Sequence, residues 1–258
     1  MGRYSGMLLC SDLDGTLLNS ERQVSDENAE AIRAFRSQGG VFCLSTGRLP
    51  RYVLQYGDKL DFDGPMICSN GSCIYDFASE KILYARTIGG NLGELLPFLF
   101  EHGAAYIERM VFFTGLESVA FDNLAAERGQ IFSTADKPVY KIVMRMDTEE
   151  HTLVLKAALA ERFGEAFNFS RSWDTGLEIL DPLATKGHTV QRLRAILGGI
   201  DTVICVGDYE NDITMLKMAD IGCAVANAVD AVRAAADRII CSNDEHAIRY
   251  IVERLPNL

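Results

Sequence analysis

The strongest chemical signal in the sequence is a pair of carboxylates, Asp12 and Asp14, within residues 7–16, MLLCSDLDGT. An apolar run leads directly into the acids and a glycine follows them. This pattern predicts that both lie at the carboxyl end of a buried strand, where open α/β sheets place their ligands. In an extended chain the two side chains point to the same side, and two like charges held together need a cation or a shared proton. Asp-x-Asp alone is equally typical of a solvated turn, so other segments decide.

Four further polar clusters follow predicted strands or begin a predicted helix. They are Thr46-Gly47-Arg48, Asn70-Gly71, the segment 207–212 (GDYEND) and Lys186. Together with the two acids they comprise a carboxylate nucleophile, possible metal ligands, a hydroxyl, a lysine and an arginine. This set suits phosphoryl transfer, which requires positioning and the neutralisation of phosphoryl oxygens.

The first part of the chain alternates between strand and helix. Ser25 is placed to cap a helix whose first turn is acidic and which stops at Gly39-Gly40. The apolar runs 41–44 and 65–68 each lead into small polar residues, as the run before Asp12 leads into the acids. Three such runs predict a parallel sheet with a site along its carboxyl edge.

From about residue 84 the pattern changes. Segments 92–100 and 153–163 are typical of amphipathic helices, and segments 105–107, 111–114, 140–146 and 177–180 of strands. The earlier pattern resumes with helix 185–197, strand 203–206, helix 211–218, the apolar segments 222–225 and 238–241, and helix 245–255. The predicted fold class is therefore α/β, with a Rossmann-like parallel-sheet core from residues 1–85 and 185–258 and an inserted α+β domain at 86–184.

Composition narrows the range of partners. The 258 residues are 48% hydrophobic and 24% charged, which is typical of a globular protein, and the net charge of −11 repels nucleic acid and anionic membranes. A small molecule is the predicted partner. There is no apolar run of the roughly 20 residues that span a bilayer and no signal-peptide pattern. The seven cysteines form no CxxC pair, so we expect buried thiols and a cytoplasmic protein.

The clusters, taken in order, resemble a known family. The segments Asp12-Leu13-Asp14-Gly15-Thr16, Ser45-Thr46-Gly47-Arg48, Lys186-Gly187 and Gly207-Asp208-x-x-Asn211-Asp212 match the four motifs of the haloacid dehalogenase superfamily. They are most similar to its Cof-type (IIB, C2-capped), sugar-phosphatase-like branch. In that branch an α+β cap lies between the second and third motifs, so the resemblance implies that residues 86–184 are such a cap.

The resemblance also implies roles for individual residues. Asp12 is expected to be the nucleophile that forms an aspartyl-phosphate, and Asp14 the acid that protonates the leaving oxygen and later activates water. Mg²⁺ is expected to bind the Asp12 and Asp208 side chains and the Asp14 backbone carbonyl. The remaining implied site residues are Thr46, Gly47, Lys186 and Asn211 for the phosphate, Arg48, Asn70 and Gly71 for the substrate, and Asp212 behind the metal ligands or paired with Lys186.

Some of these residues have ordinary alternative explanations. Arg48 is as compatible with a solvated surface ion pair as with substrate contact, and Asn70-Gly71 is a good turn dipeptide by itself. Asp212 is also an acid favoured at a helix start. In the segment 182–187, PLATKG, no glycine or proline stands just before Lys186, where the family often has one, which leaves the geometry of that loop open.

The predicted function is a Mg²⁺-dependent phosphatase that hydrolyses a small phosphorylated metabolite, a sugar phosphate or a similar phosphomonoester. Two alternatives remain open at this stage: a phosphomutase or phosphotransferase of the same superfamily, and a non-catalytic phosphosugar-binding regulator. The fold cannot separate these classes. The sequence does not identify the substrate, the cap residues that select it or the oligomeric state.

Overall fold

The computed structural model describes residues 2–255, and these residues form two compact units. The first unit comprises residues 2–84 and 186–255, and the second is Ala85–Thr185.

The strands of the described chain are β1 (Met7–Ser11), β2 (Val41–Leu44), β3 (Pro65–Cys68), β4 (Cys73–Asp76), β5 (Lys81–Ala85), β6 (Ile107–Thr114), β7 (Glu117–Phe121), β8 (Lys141–Met146), β9 (Asn168–Ser170), β10 (Gly176–Leu180), β11 (Thr202–Gly207), β12 (Ile221–Ala224) and β13 (Arg238–Ile239). The helices are α1 (Asp26–Ser37), α2 (Pro50–Val53), α3 (Gly57–Leu60), α4 (Leu92–His102), α5 (Leu124–Ala135), α6 (Glu149–Phe163), α7 (Lys186–Leu197), α8 (Ile213–Met218), α9 (Asp230–Ala235) and α10 (Ala247–Arg254).

The first unit is built on a parallel sheet with strand order β13-β12-β11-β1-β2. The strand β1 pairs with β11 on one side and β2 on the other, both in parallel. Its residues Leu8, Leu9 and Cys10 are fully buried, as expected for a central parallel strand. The predicted α/β fold with a parallel core sheet is therefore confirmed.

The third apolar run, residues 65–68, departs from the prediction. As β3 it pairs antiparallel with β4 and belongs to a separate three-stranded sheet, β3-β4-β5. Its link to the parallel sheet is one isolated parallel bridge, between Ser45 and Ile67. The reason is the tight turn at residues 69–71, which sends the chain directly back as a hairpin instead of into a crossover helix.

Several predicted boundaries also change. Of the predicted strand 105–107, residues 105 and 106 form a turn, and Ile107 begins β6, the strand that also contains the predicted segment 111–114. An irregularity in β6 between Ile107 and Arg109 interrupts the sequence pattern. Helix 211–218 is a 3₁₀ turn, Glu210–Asp212, followed by the short helix α8. Helix α5 was not predicted, since it is only weakly amphipathic and has Gly129 in its middle.

The second unit is an antiparallel sheet with strand order β7-β6-β8-β10-β9. Alternate residues of its central strands enter one hydrophobic core, together with apolar residues of α4, α5 and α6. Met144 and Leu177 are examples from β8 and β10, and both are fully buried. The helices therefore cover one face of this sheet, as period-two alternation requires.

None of the helices between residues 2 and 255 combines the length and apolar character needed to cross a membrane. All seven cysteines are free thiols, and all are buried except Cys241, which is partly exposed.

A buried asparagine joins the two ends of the first unit's chain. The Asn28 side-chain oxygen accepts hydrogen bonds from the backbone N–H groups of Ile248 and Arg249, at 3.1 and 3.2 Å, in the first turn of α10. Its amide donates to the Leu17 carbonyl at 3.4 Å. First-turn N–H groups have no partner within their own helix, so Asn28 caps α10 from a position 220 residues away.

We expect Asn28→Ala to lower the free energy of unfolding by about 2 kcal/mol, because it removes the acceptor from the buried Ile248 N–H and the partly buried Arg249 N–H. Urea denaturation measures this loss. Asn28→Asp keeps the acceptor but loses the hydrogen bond to the Leu17 carbonyl, so it should recover only part of the stability. Ala at the exposed Glu30 of the same helix is the control. Equal stability of Asn28→Ala and the control variant would contradict the capping role.

Candidate active site

Asp12 follows directly after β1, between the two neighbouring strands of the parallel sheet. Its backbone N–H donates to the Val206 carbonyl of β11 at 2.9 Å, so strand pairing fixes its position. The residue is only 6% exposed. A carboxylate is therefore held at the carboxyl edge of the sheet, where its charge is poorly solvated.

The turn after Asp12 requires a glycine. Gly15 has φ of +76°, and a Cβ there would lie 2.5 Å from Asp208 Oδ2. Thr16 Oγ1 donates to Asp208 Oδ1 at 2.7 Å, so the loops after β1 and β11 are directly joined. Thr16 is the last residue of the motif Asp-Leu-Asp-Gly-Thr, but it is not among the predicted site residues.

Asp212 organises the loop after β11. Its Oδ2 accepts from the backbone N–H groups of Asp208 and Tyr209, at 2.9 and 3.1 Å, and the residue is fully buried. A Cβ on Gly207 would collide with the Asp212 side chain at 2.5 Å. This carboxylate holds Asp208 in place from behind, and its 3₁₀-turn position agrees with the helix-start alternative as well.

Lys186, the first residue of α7, binds two of these carboxylates. Its Nζ lies 2.5 Å from Asp12 Oδ1 and 2.6 Å from Asp212 Oδ1, and its side chain is completely buried. Burial alone lowers the pKa of Lys186, but the charges of Asp12 and Asp212 outweigh it and raise that pKa above its ordinary value. The two carboxylates therefore favour the ammonium form, although the macrodipole disfavours a cation at a helix start.

Asp12, Asp208 and Asp212 form a cluster of three carboxylates, of which Lys186 binds Asp12 and Asp212. Ligand oxygens of Asp12, Asp208 and Asp212 lie within 4.8 Å of one another. Burial and then the charge of Asp212 raise the pKa of Asp208 to about 7. Burial, outweighing the attraction of Lys186, also raises the pKa of Asp12. The cluster therefore has excess negative charge.

The donor set fits a divalent cation. Carboxylate oxygens are the ligands that Mg²⁺ prefers, and its charge would compensate the excess. Because Asp212 already accepts from Lys186 and two backbone N–H groups, the side chains of Asp12 and Asp208 are the better candidates.

Asp14 lies outside this carboxylate cluster. Its side chain is 54% exposed and pairs with Arg48, whose Nε and Nη2 lie 2.8 Å from Oδ2 and 2.5 Å from Oδ1. Arg48 also donates to Tyr56 Oη at 3.4 Å. Arg48 thus forms an ion pair with Asp14, one of the predicted site residues.

The loop after β2 carries the buried Thr46. Its Oγ1 accepts from the Arg48 backbone N–H at 3.2 Å, and its carbonyl accepts from the Asn70 N–H at 3.0 Å. A Cβ on Gly47 would lie 3.0 Å from Asn70 Oδ1. The loops after β2 and β3 are therefore packed tightly together.

The turn after β3 is backbone-strained. Ser69, Asn70 and Gly71 have φ of +51°, +56° and +98°, although only one of them is glycine. Asn211 Nδ2 donates to Asn70 Oδ1 at 3.2 Å, and Thr189 Oγ1 of α7 donates to the Gly71 carbonyl at 2.6 Å. These contacts join the turn to the loop after β11 and to the helix that begins with Lys186.

The family comparison agrees with this architecture. The model of the haloacid dehalogenase-like hydrolases matches residues 9–252. The chain is 28% identical to the Bacillus subtilis protein YxeH, over 96% of this chain and 97% of that protein. It is 26% identical to pyridoxal phosphate phosphatase YbhA of Escherichia coli, over 95% of this chain and 97% of YbhA.

Solved structures have the same fold. A haloacid dehalogenase-like hydrolase from Bacteroides thetaiotaomicron superimposes with a TM-score of 0.75 at 26% identity, over 98% of this chain and 100% of that chain. The subclass IIB sugar phosphatase BT4131 gives a TM-score of 0.81 at 20% identity, with the same coverage of both chains. The chain belongs to the haloacid dehalogenase-like hydrolases, and the predicted Cof-type resemblance is confirmed.

Proposed function

We propose that the protein is a Mg²⁺-dependent phosphomonoesterase that hydrolyses a small phosphorylated metabolite through an aspartyl-phosphate. The observation that carries this proposal is that the two acids, Asp12 and Asp14, lie in different surroundings. Asp12 is buried and bound by Lys186, whereas Asp14, two residues later, lies outside the carboxylate cluster. A reaction with a nucleophile and a separate acid requires two carboxylates in different surroundings.

In the first step, an Asp12 carboxylate oxygen attacks phosphorus and forms a P–O bond while the ester P–O bond breaks. Asp14 gives its proton to the departing oxygen. Lys186 restrains Asp12 and compensates its charge from the buried side. In the second step, water attacks phosphorus, Asp14 takes a proton from it, and the Asp12–phosphorus bond breaks to release inorganic phosphate.

A magnesium ion would be held by the side chains of Asp12 and Asp208 and the backbone carbonyl of Asp14. When bound, it supplies positive charge beside the phosphoryl oxygens. Thr16 and Asp212 orient Asp208 for this role through the hydrogen bonds described above. We propose Thr46, Gly47, Asn211 and Lys186 as the phosphate-binding groups, with Asn70 and Gly71 nearest to the substrate.

Related enzymes support a small phosphorylated substrate. Besides YbhA, the chain is 23% identical to the Bacillus subtilis 5-amino-6-(5-phospho-D-ribitylamino)uracil phosphatase YitU, over 95% of this chain and 96% of that one. The acidic composition and the free buried thiols also fit a metabolic enzyme of a reducing, cytoplasmic compartment. We expect hydrolysis of at least one member of a panel of phosphorylated metabolites, measured as phosphate release with and without Mg²⁺.

We propose the second unit as the cap that selects the substrate. The side chains of Lys141 in β8 and Glu178 in β10 are each 2% exposed, with Nζ and Oε2 3.4 Å apart, and Ser172 Oγ donates to Glu178 Oε1 at 3.0 Å. By strand alternation, Lys141 and Glu178 point to the sheet face opposite the hydrophobic core. A buried ion pair is weak evidence for a stabilising role, and we propose that this pair recognises hydroxyl groups of the substrate when the substrate binds.

We expect Glu178→Gln to change the order of preference among alkyl phosphates by about tenfold, since a pocket that hydrogen-bonds a hydroxyl discriminates strongly. The loss on p-nitrophenyl phosphate, which has no hydroxyl to bind, should be small. An unchanged order across the panel, with an unchanged melting temperature, would rule out this role.

Asp12→Asn should reduce phosphate release by about 10⁴-fold or more, because the amide is not a nucleophile. Steady-state assay of the preferred panel substrate measures it. The control is the exposed Asp58→Asn, which should keep full activity. Turnover retained in Asp12→Asn would disprove the aspartyl-phosphate route.

We expect Mg²⁺ to raise the melting temperature more at pH 8 than at pH 6. The pKa of Asp208 is raised from 3.8 to about 7, so between these two pH values the metal-free folded protein holds more protons than the unfolded chain. Its stability therefore falls as pH rises towards 7, whereas the ionised carboxylate needed for the metal becomes available. In a thermal-shift titration, Asp208→Asn should lose most of the Mg²⁺ response. An equal response at both pH values would contradict the assigned ligand.

A further inference from the structure

We propose that Arg48 is a positioning residue for Asp14 and acts on the reaction through that carboxylate, without binding the substrate's phosphate itself. This inference rests on the proposed phosphatase function. It concerns the residue for which the sequence left two explanations open, substrate contact and a solvated surface pair.

The contact has the geometry of a fixed pair. Arg48 Nε and Nη2 reach different oxygens of Asp14, at 2.8 and 2.5 Å. Two parallel hydrogen bonds from a planar guanidinium define the position and the plane of a carboxylate, which a single ammonium cannot do. Arg48 therefore sets the orientation of the Asp14 side chain.

Burial does not supply this orientation. The Asp14 side chain is 54% exposed, in contrast to the buried Asp12 side chain, and it stands in a turn with extended backbone angles, φ of −80° and ψ of 123°. Ordering an exposed side chain costs conformational entropy at the moment of reaction. A partner that orders it beforehand lowers that cost, as preorganisation of an acid requires.

Arg48 is itself held by its surroundings. Its backbone N–H donates to Thr46 Oγ1 at 3.2 Å, and its carbonyl accepts from the Ser69 N–H at 3.2 Å. The guanidinium carbon lies 5.8 Å from the centre of the Tyr56 ring, and Nη1 donates to its hydroxyl. The same loop thus carries the proposed phosphate-binding Thr46 and the support for the acid, so the two are fixed relative to each other.

An ordinary surface ion pair would behave differently. Such pairs contribute little to stability and do not affect chemistry. Arg48 is distinguished by a side chain that is only 25% exposed, by the two-point contact and by its partner, the proposed acid.

The test compares leaving groups. An alkoxide needs a proton from Asp14, whereas p-nitrophenolate leaves readily without one. In Arg48→Met, kcat/KM for the preferred alkyl phosphate should fall by about 10²-fold, and kcat/KM for p-nitrophenyl phosphate by less than about fivefold. Arg48→Lys keeps the charge but cannot make the two parallel hydrogen bonds, so it should recover only part of the activity on the alkyl phosphate.

A double variant tests whether Arg48 acts through Asp14. In an Asp14→Asn background, Arg48→Met should cause less than about a threefold further loss, because residues that act as a unit are not additive. The matched control is Arg249→Met, which breaks an exposed pair with Glu253 on α10 and should leave both substrates unaffected.

The outcomes are distinct. Equal losses of Arg48→Met on both leaving groups, or a full further loss in the Asp14→Asn background, would overturn the positioning role and favour direct phosphate binding. If the unchanged protein hydrolyses neither substrate, the proposed function fails, and this inference fails with it.

Discussion

The site depends on one buried ammonium. Lys186 joins Asp12, 174 residues earlier in the chain, to Asp212, 26 residues later. These contacts connect the start of α7 with the loops that follow β1 and β11. Without this cation, two buried carboxylates would face each other with no opposite charge, at a cost of several kcal/mol. The position of the proposed nucleophile therefore depends on a charge supplied by a distant segment.

The parallel sheet makes that arrangement possible. Neighbouring parallel strands end at the same edge, so the loops after β1, β2 and β11 converge although their sequences are far apart. Short contacts then join these loops to one another, such as the hydrogen bond between Thr16 and Asp208. Asp208 lies so close to position 15 that only glycine fits there. The apolar strands supply stability, and their polar ends are available for chemistry.

The site is also a source of local instability. Burial and neighbouring carboxylates raise the pKa values of Asp12 and Asp208. In addition, the turn at residues 69–71 holds non-glycine residues at positive φ. Both features cost free energy in the metal-free protein, and the surrounding core offsets that cost. A divalent cation would supply positive charge to the carboxylates of this cluster. A phosphate would bind the proposed phosphate-binding groups beside them.

The sequence by itself determined the fold class and the family, because strand alternation, helix caps and ordered motifs are local patterns. It also named the residues of the candidate site, whose roles stay predictions. It did not determine the hairpin of β3, the weakly amphipathic α5, the hydrogen bond of Thr16 or the partner of Arg48. Those depend on which loops meet and on the rotamers that fit between them. The spacing of Arg48 and Asp14 in the chain does not predict that their side chains form an ion pair. Only the folded sheet edge brings guanidinium and carboxylate into contact.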